Sequence, residues 1–184
     1  RNGSNTRVFR EVAALGERLE QISDAVYPTC NRARAAILFD WENWWAVEDI
    51  QGPRKNMAYL ETVISHFKPF WELGIEVDFI NEEDSMEGYA LVAAPMAYLY
   101  QDGYAERVKK YVEAGGCYLA TYFSGVVDEN DLCILDRHPL EDVLGIRTEE
   151  MDAVVPESLP NTISFAGKSW KAGQLREVSH VVED

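Results

Sequence analysis

Long hydrophobic runs are absent from this sequence. No stretch reaches the roughly 18 consecutive apolar residues that a membrane-spanning helix needs. The first residues also lack the order of basic, apolar and small residues that marks a secretory signal peptide. We therefore expect a cytoplasmic protein that neither spans nor enters a membrane. Its 184 residues are 47% hydrophobic, which is enough to bury a core.

Basic residues are scarce relative to acids. The chain has 17 Lys and Arg against 32 Asp and Glu, which gives a formal net charge of −15. This charge repels the phosphate backbone of DNA or RNA, and the basic residues are scattered rather than gathered into a stripe. We expect no nucleic-acid partner.

Cysteine is also rare. Cys30, Cys117 and Cys133 form no C-x-x-C pair, so neither a disulfide framework nor a zinc site is predicted. We expect reduced and mostly buried thiols. Cys117 should face the core, because it opens a predicted strand rather than ending one.

Motifs for nucleophilic or cofactor chemistry are missing as well. The sequence has no G-x-S-x-G motif, no P-loop and no dinucleotide fingerprint. His66, His138 and His180 have no catalytic partner at a recognisable spacing. The sequence therefore predicts no cofactor, no metal and no catalytic residue in this chain.

Apolar residues recur every three or four positions near the start of the chain, which predicts an amphipathic helix. Ser4, Asn5 or Thr6 is available as its N-cap. The stripe is short for a coiled coil, so we expect it to pack on its own domain or on a neighbouring one. The stripe consists of Val8, Val12, Leu15, Leu19, Ile22 and Val26.

Strand-like and helix-like segments then alternate, which predicts a mainly parallel sheet with helices on both faces. One predicted helix ends at Gly74, a suitable C-cap. Turns at Gly167 and Gly173 separate short alternating runs, which we expect to add antiparallel strands to one sheet edge. The predicted parallel strands are "RAAILFD", "IEVDFI", "YALVAAP" and "CYLATYF". The helix ending at Gly74 is expected to bury Leu60, Val63, Ile64, Phe67 and Trp71.

The segment "FDWENWW" follows the first predicted strand and is expected to be a loop at the carboxyl edge of the sheet. Trp41, Trp44 and Trp45 cannot all point into one core, so they indicate core packing, an interface or a sugar-stacking platform. Asp40 and Glu42 fit anchors for the loop better than a catalytic pair, because acids beside indoles commonly accept their hydrogen bonds.

Two segments carry a family resemblance. They are "ILFDWENWWAVE" and the G-G-x(5)-Y-F-S-G-x-V-D-E-N-D pattern that begins at Gly115. With "LGIEVDFI", "YALVAAPMAYLY" and "HPLEDVLGIRTEE" they resemble the middle domain of the glycoside hydrolase family 42 β-galactosidases, through most of the chain.

The resemblance implies a flavodoxin-like fold, a three-layer sandwich similar to class I glutamine amidotransferases, which joins subunits into a homotrimer. In that family the catalytic glutamates lie in a preceding (β/α)8 barrel, which needs about 250 residues. Residues 1–30 would be a helix and linker from that domain, and 31–184 the assembly domain. Its partners would be other copies of itself and the barrels of its own and neighbouring chains, with galactoside contacted only indirectly.

The resemblance also assigns candidate residues. Those at the interface or the active-site rim are Asp40, Trp41, Glu42, Trp44 and Trp45. A weaker second loop holds Ser124, Asp128, Glu129 and Asn130. Where a true amidotransferase has its nucleophilic cysteine, this chain offers Tyr122, Phe123 or Ser124.

Two alternatives stay open on the sequence. One is a free-standing amidotransferase-like hydrolase with a carboxyl-edge pocket around Asp40, Ser124 and Asp128. The other is a carbohydrate-binding module that uses the tryptophans.

Overall fold

The computed structural model describes residues 3–27, 33–55, 57–135, 137–154, 161–173 and 175–182. Its contacts divide the chain into two units, Arg1–Arg32 and Ala33–Asp184. Cys30 lies outside the described residues. Within the described ranges, no helix combines the length and the apolar character that crossing a membrane requires.

The first unit holds helix α1 (Arg7–Val26), preceded by a short 3-10 turn. Of the three predicted N-caps, Thr6 takes the role: its hydroxyl accepts a hydrogen bond from the Phe9 amide at 3.2 Å. The predicted helix is therefore confirmed. All six apolar residues of its stripe are exposed among the described residues.

The second unit is a mixed α/β structure built on a parallel sheet. Four described strands lie side by side in the order β2-β1-β3-β5, and every pair is parallel, as predicted. The sheet strands are β1 (Ala35–Leu38), β2 (Val77–Ile80), β3 (Leu91–Ala94) and β5 (Cys117–Ala120). The helices of this unit are α2 (Trp41–Asp49), α3 (Tyr59–Leu73), α4 (Tyr104–Glu113) and α5 (Glu141–Leu144).

Helices cover both faces of the sheet, because alternate residues of a strand point to opposite sides. On one face Ala36 and Leu38 belong to a core with Tyr104 and Val108 of α4. On the other face Ile37 belongs to a core with residues of α2 and α3. The sheet is thus the middle of three layers.

Helix α3 ends at Gly74, whose φ of 66° is left-handed, so the predicted C-cap is confirmed. The predicted buried face is only partly right. Val63 is buried, whereas Ile64 and Trp71 are exposed. The periodicity identifies an apolar side of the helix, but β2 is the outermost described strand there and leaves that side partly uncovered.

The strands after α5 are antiparallel, as predicted, but they do not extend the parallel sheet. In the described residues they form separate two-stranded sheets, one of β7 with β10 and one of β8 with β9. The edge addition that the sequence predicted is therefore wrong. These strands are β7 (Ile146–Ala153), β8 (Thr162–Phe165), β9 (Lys168–Lys171) and β10 (Leu175–Val181).

A buried acid ties α5 to β7. The Glu141 carboxylate accepts hydrogen bonds from Arg147, at 2.7 and 3.0 Å, and from Arg137, at 3.0 Å. The hydrogen bonds from Arg147 and then Arg137 lower the pKa of Glu141 to about 2. This ion-pair network anchors the first C-terminal strand to the helix before it.

The burial predicted for the thiols is wrong for both described cysteines, because Cys117 and Cys133 are free thiols but exposed. Cys117 shares a sheet face with Leu119, which is also exposed. Both lie on β5, the outermost described strand on its side, and the core on that face includes residues of β1 and β3 but none of β5.

Candidate functional site at the carboxyl edge of the sheet

The segment after β1 is a helix rather than the predicted loop. Asp40 is its N-cap: the carboxylate accepts hydrogen bonds from the amides of Glu42, at 2.8 Å, and Asn43, at 3.1 Å. Aspartate is among the best residues for this position. The chain then runs nine residues as α2 before Gly52 and Pro53 interrupt it. Asp40 therefore anchors this segment, as its sequence context indicated.

The aromatic residues of this segment form one cluster around Phe39. The Phe39 ring lies 5.4 Å from the ring of Trp41, 5.7 Å from that of Trp44 and 5.9 Å from that of Tyr59, centroid to centroid. Trp44 is partly buried, and its indole nitrogen donates a hydrogen bond to Glu48 at 2.9 Å. Trp41 and Trp45 are 56% and 61% exposed. The prediction that at least one indole lies at the surface is therefore confirmed, by Trp41 and Trp45.

Asn43 is a buried polar residue that the sequence analysis missed. Its amide nitrogen donates to the Met96 carbonyl at 3.0 Å, and its amide oxygen accepts from the Leu99 amide at 2.9 Å. Asn43 therefore joins the segment after β1 to the segment after β3. The local sequence offers no signal for its burial, because the residues that it bonds lie 53 and 56 positions away along the chain.

The same hydrogen bonds cross the place where an open α/β sheet ordinarily binds a ligand. That place is the crevice between neighbouring strands whose following helices lie on opposite faces, which here are β1 and β3. In this chain all of the residues from Met96 to Tyr100 are buried there. Leu99 and Tyr100 pair as β4 with Val127–Asp128, which form β6. The chain itself therefore fills the crevice.

Phe123 follows the end of β5 and is one of the three positions that the amidotransferase resemblance singled out, together with Tyr122 and Ser124. Phe123 has a φ of 59°, the left-handed backbone of a sharp turn, and it is buried. Its ring stacks on Tyr98 at 4.8 Å, and its amide donates to Glu177 at 2.6 Å. An apolar ring at this point packs and cannot act as a nucleophile.

Ser124 has no activating base in the described structure. Its hydroxyl donates to the Thr121 carbonyl at 2.8 Å. The nearby His138 ring nitrogen lies 3.0 Å from the backbone oxygen of Ser124 rather than from its hydroxyl. Burial lowers the pKa of His138, although the hydrogen bond to Ser124 opposes the shift. The geometry holds the loop together without forming a catalytic pair.

The other polar side chains of the second loop form hydrogen bonds within the loop itself. The Asp128 carboxylate accepts from the amides of Asn130, at 2.9 Å, and Leu132, at 3.0 Å. The Asn130 side chain donates to Glu129 at 3.1 Å. These bonds shape a turn, and none of them reaches Asp40 or Glu42.

A cavity of about 590 Å³ lies beside Met96 and Tyr122 at this edge. Glu177 of β10 also lines it, and burial raises the pKa of that carboxyl group. Asp40, Ser124 and Asp128 do not line it. The structure therefore does not gather those three residues into the pocket that the hydrolase alternative requires.

Glu82, two residues after the end of β2, is a second buried polar residue that the sequence analysis missed. One carboxyl oxygen accepts from the Gln101 amide at 2.6 Å, and the other has no hydrogen-bond partner among the described residues. Burial, reinforced by the Asp40 and Glu42 carboxylates, raises the pKa of Glu82 to about 8. The Gln101 side chain also donates to Glu42, so it links the acid on α2 to the buried acid.

Cation binding finds no support in the parts of the chain that the structure describes. They contain no group of three or more His, Cys, Asp or Glu that could hold a metal ion.

Comparison with known proteins decides the family. The family model described as the β-galactosidase trimerisation domain matches residues 33–183, which is most of the chain. A β-galactosidase of Alicyclobacillus acidocaldarius is 45% identical over 97% of this chain and 27% of its own length. One of Clostridium perfringens is 44% identical over 84% of this chain and 23% of its own length.

This chain belongs to the trimerisation-domain family of the β-galactosidases.

Solved β-galactosidases agree with this assignment. The enzyme of Bacillus circulans sp. alkalophilus superposes with a TM-score of 0.81 at 37% identity, covering 97% of this chain and 28% of that one. The enzyme of Rahnella sp. R3 gives a TM-score of 0.79 at 41% identity, covering 96% and 27%. The chain therefore spans about a quarter of the length of the relatives it matches. The match to the trimerisation domain includes the parallel sheet and the C-terminal strands, and helix α1 lies before it.

Proposed function

We propose that this chain is the non-catalytic assembly domain of a longer family 42 β-galactosidase, in which it joins three copies and borders the active site. The observation that carries the proposal is the match of the trimerisation domain to residues 33–183 of a chain that spans about a quarter of its relatives. The filled crevice and the phenylalanine at the strand end support the non-catalytic part. The galactoside would be hydrolysed in a preceding barrel.

We further propose that the fold is flavodoxin-like and related to the class I glutamine amidotransferases. The doubly wound order β2-β1-β3-β5 with helices on both faces supports this. The positive φ at Phe123 supports it as well, because a strained turn at a strand end is where a nucleophile elbow would stand.

Helix α1 and the linker, residues 1–30, belong in this proposal to the preceding catalytic domain. The helix lies outside the matched range 33–183, yet the Alicyclobacillus relative aligns over 97% of the chain. Its six apolar residues are exposed among the described residues, and a stripe of this kind needs a covering surface. The barrel would supply that surface.

The interface or rim residues are Trp41 and Trp45, presented by α2. Asp40 and Glu42 hold that helix, and Trp44 packs beneath it. The exposure of two indoles side by side supports the assignment, since tryptophan is enriched where protein surfaces bind each other. The turn of Ser124, Asp128, Glu129 and Asn130 is the second, weaker part of the same rim. The partners are other copies of the chain and their barrels.

The catalytic part of the proposal is tested with a chromogenic β-galactoside. We expect the purified 184-residue chain to show no hydrolysis and the full-length enzyme to show hydrolysis under the same conditions. Activity of the short chain that disappears on mutation of its own acids would refute the proposal. Labelling of Ser124 by a serine-directed probe would favour the hydrolase alternative.

A carbohydrate-binding role is the remaining alternative, and the exposed Trp41 and Trp45 are the observation that favours it. Titration of tryptophan fluorescence with galactose or lactose separates the two functions. A saturable change in the short chain, lost in Trp45→Ala, would indicate sugar stacking. The assembly proposal predicts no saturable change.

A further inference from the structure

A second group of apolar side chains is exposed on helix α3 and strand β2, away from the tryptophans of α2. We call it the α3–β2 patch, and it comprises Ile64, Phe67, Trp71 and Phe79. Trp71 is 73% exposed, Ile64 54% and Phe79 52%. The Phe67 ring lies 6.1 Å from that of Trp71 and 5.5 Å from that of Phe79. The patch is therefore continuous across the helix and the strand.

The surroundings of this patch resemble those of a protein interface. Strand β2 pairs with β1 alone in the described sheet, so its other edge is unpaired and lies beside the aromatic rings. Lys68 and Glu72 form an ion pair at 3.7 Å on the same helix, which gives the patch a polar rim. Apolar centres with polar rims are typical of surfaces that another protein covers.

The position of the patch relative to the tryptophans follows from the path of the chain. Tyr59, at the start of α3, stacks on Phe39 at the carboxyl end of β1. Trp71 lies in the last turn of the same helix, which then leads into β2 at its amino end. The Trp41 and Trp45 surface and the α3–β2 patch therefore lie at opposite ends of α3.

A closed trimer needs two such surfaces on every subunit. Three copies related by a three-fold axis meet through heterologous contacts, in which one surface of a copy binds a different surface of the next. A single self-complementary patch would give dimers instead. The trimerisation family of this chain thus requires a pair of unlike surfaces, and the Trp41 and Trp45 surface and the α3–β2 patch are unlike surfaces that the second unit exposes.

We propose that the α3–β2 patch of one copy packs against the Trp41 and Trp45 surface of the next copy. This inference rests on the proposed function, and it adds the second half of the interface and the pairing of the halves. Both partners are copies of this chain, so the contact repeats three times around the ring and leaves neither surface exposed.

Mixing two variants of the full-length enzyme tests the pairing. Trp71→Glu destroys one surface and leaves the other intact, and Trp45→Glu does the reverse. We expect each variant alone to sediment as a single copy. An equimolar mixture should form pairs with twice that mass and nothing larger, because only one intact contact remains between the two variants.

Trp170→Glu is the matched control, since Trp170 is an exposed tryptophan of β9 outside both surfaces. It should stay trimeric. Ile64→Glu, a second substitution in the α3–β2 patch, should behave like Trp71→Glu, and circular dichroism checks that each variant is folded.

The inference is overturned if Trp71→Glu and Ile64→Glu fold and remain trimeric, or if the mixture with Trp45→Glu contains single copies only. A wild-type enzyme that is not trimeric would instead refute the proposed function.

Discussion

At the scale of single residues, the buried Glu82 makes the stability of this domain depend on pH. Its pKa is raised to about 8 from an ordinary value of 4.5, chiefly by burial. Between these two pH values the unfolded chain has lost the proton that the folded chain still holds. The free energy of unfolding therefore falls as the pH rises from about 4.5 to about 8.

Glu82→Gln tests this, because the amide keeps the shape of the side chain and cannot ionise. We expect the free energy of unfolding of the wild type to fall relative to that of Glu82→Gln as the pH rises from 5 to 8. The fall ends near pH 8 because the folded-state pKa of Glu82 is about 8. Urea unfolding at a series of pH values measures the difference. Glu83→Gln, at an exposed neighbouring position, should leave the pH dependence unchanged. Parallel curves for wild type and Glu82→Gln would contradict the account.

Asn43 carries the second prediction at this scale. Asn43→Ala leaves the Met96 carbonyl and the Leu99 amide without their partner, and an unpaired buried polar group costs about 1–3 kcal/mol. We expect a loss of that size in the free energy of unfolding. Asn130→Ala, in an exposed turn, should cost less. Equal losses in the two variants would show that the bridge across the crevice contributes little.

These two residues also show what the sequence could not reveal. Glu82 lies in the polar stretch "NEEDSMEG" and Asn43 among tryptophans, so composition alone assigns both to the surface or to a loop. Each is buried because a segment distant along the chain covers it, residues 95–101 in both cases. A local pattern carries no information about such a cover.

At the scale of elements, most of the helices and parallel strands were predictable. Their apolar spacing and glycine stops predicted helices α1, α3 and α4 and strands β1, β2, β3 and β5, and their alternation predicted helices on both sheet faces; the structure confirms both. Helix α2 was missed because "WENWW" has no apolar stripe, so its helical state depends on the Asp40 cap. The pairing of β7 with β10 was not predictable, since it joins strands separated by the intervening β8–β9 hairpin.

The dependence of α2 on its cap is directly testable. Asp40→Ala removes the acceptor for two backbone amides and should lower the free energy of unfolding by about 0.5–2 kcal/mol. Asp40→Asn is the matched control, because asparagine caps helices about as well as aspartate. Urea unfolding compares the three proteins. If Asp40→Ala were as stable as Asp40→Asn, the cap would not be what holds the helix that presents Trp41 and Trp45.

At the scale of the whole molecule, the sequence resemblance and the structure lead to one account. The chain covers about a quarter of its relatives, its ligand crevice is filled by its own residues, and both the Trp41 and Trp45 surface and the α3–β2 patch expose aromatic side chains. A domain with those features serves contacts between proteins better than chemistry. The exposure of Ile64 and Trp71, which helical periodicity alone assigned to the core, is explained if another copy covers them.

The mass of the full-length enzyme in solution tests the central claim most directly. Sedimentation equilibrium of the wild type should give three copies. With Trp41→Glu and Trp45→Glu combined, the mass should fall to that of one copy, while circular dichroism stays unchanged. A wild type that sediments as one copy, or a folded double variant that keeps three, would contradict the account.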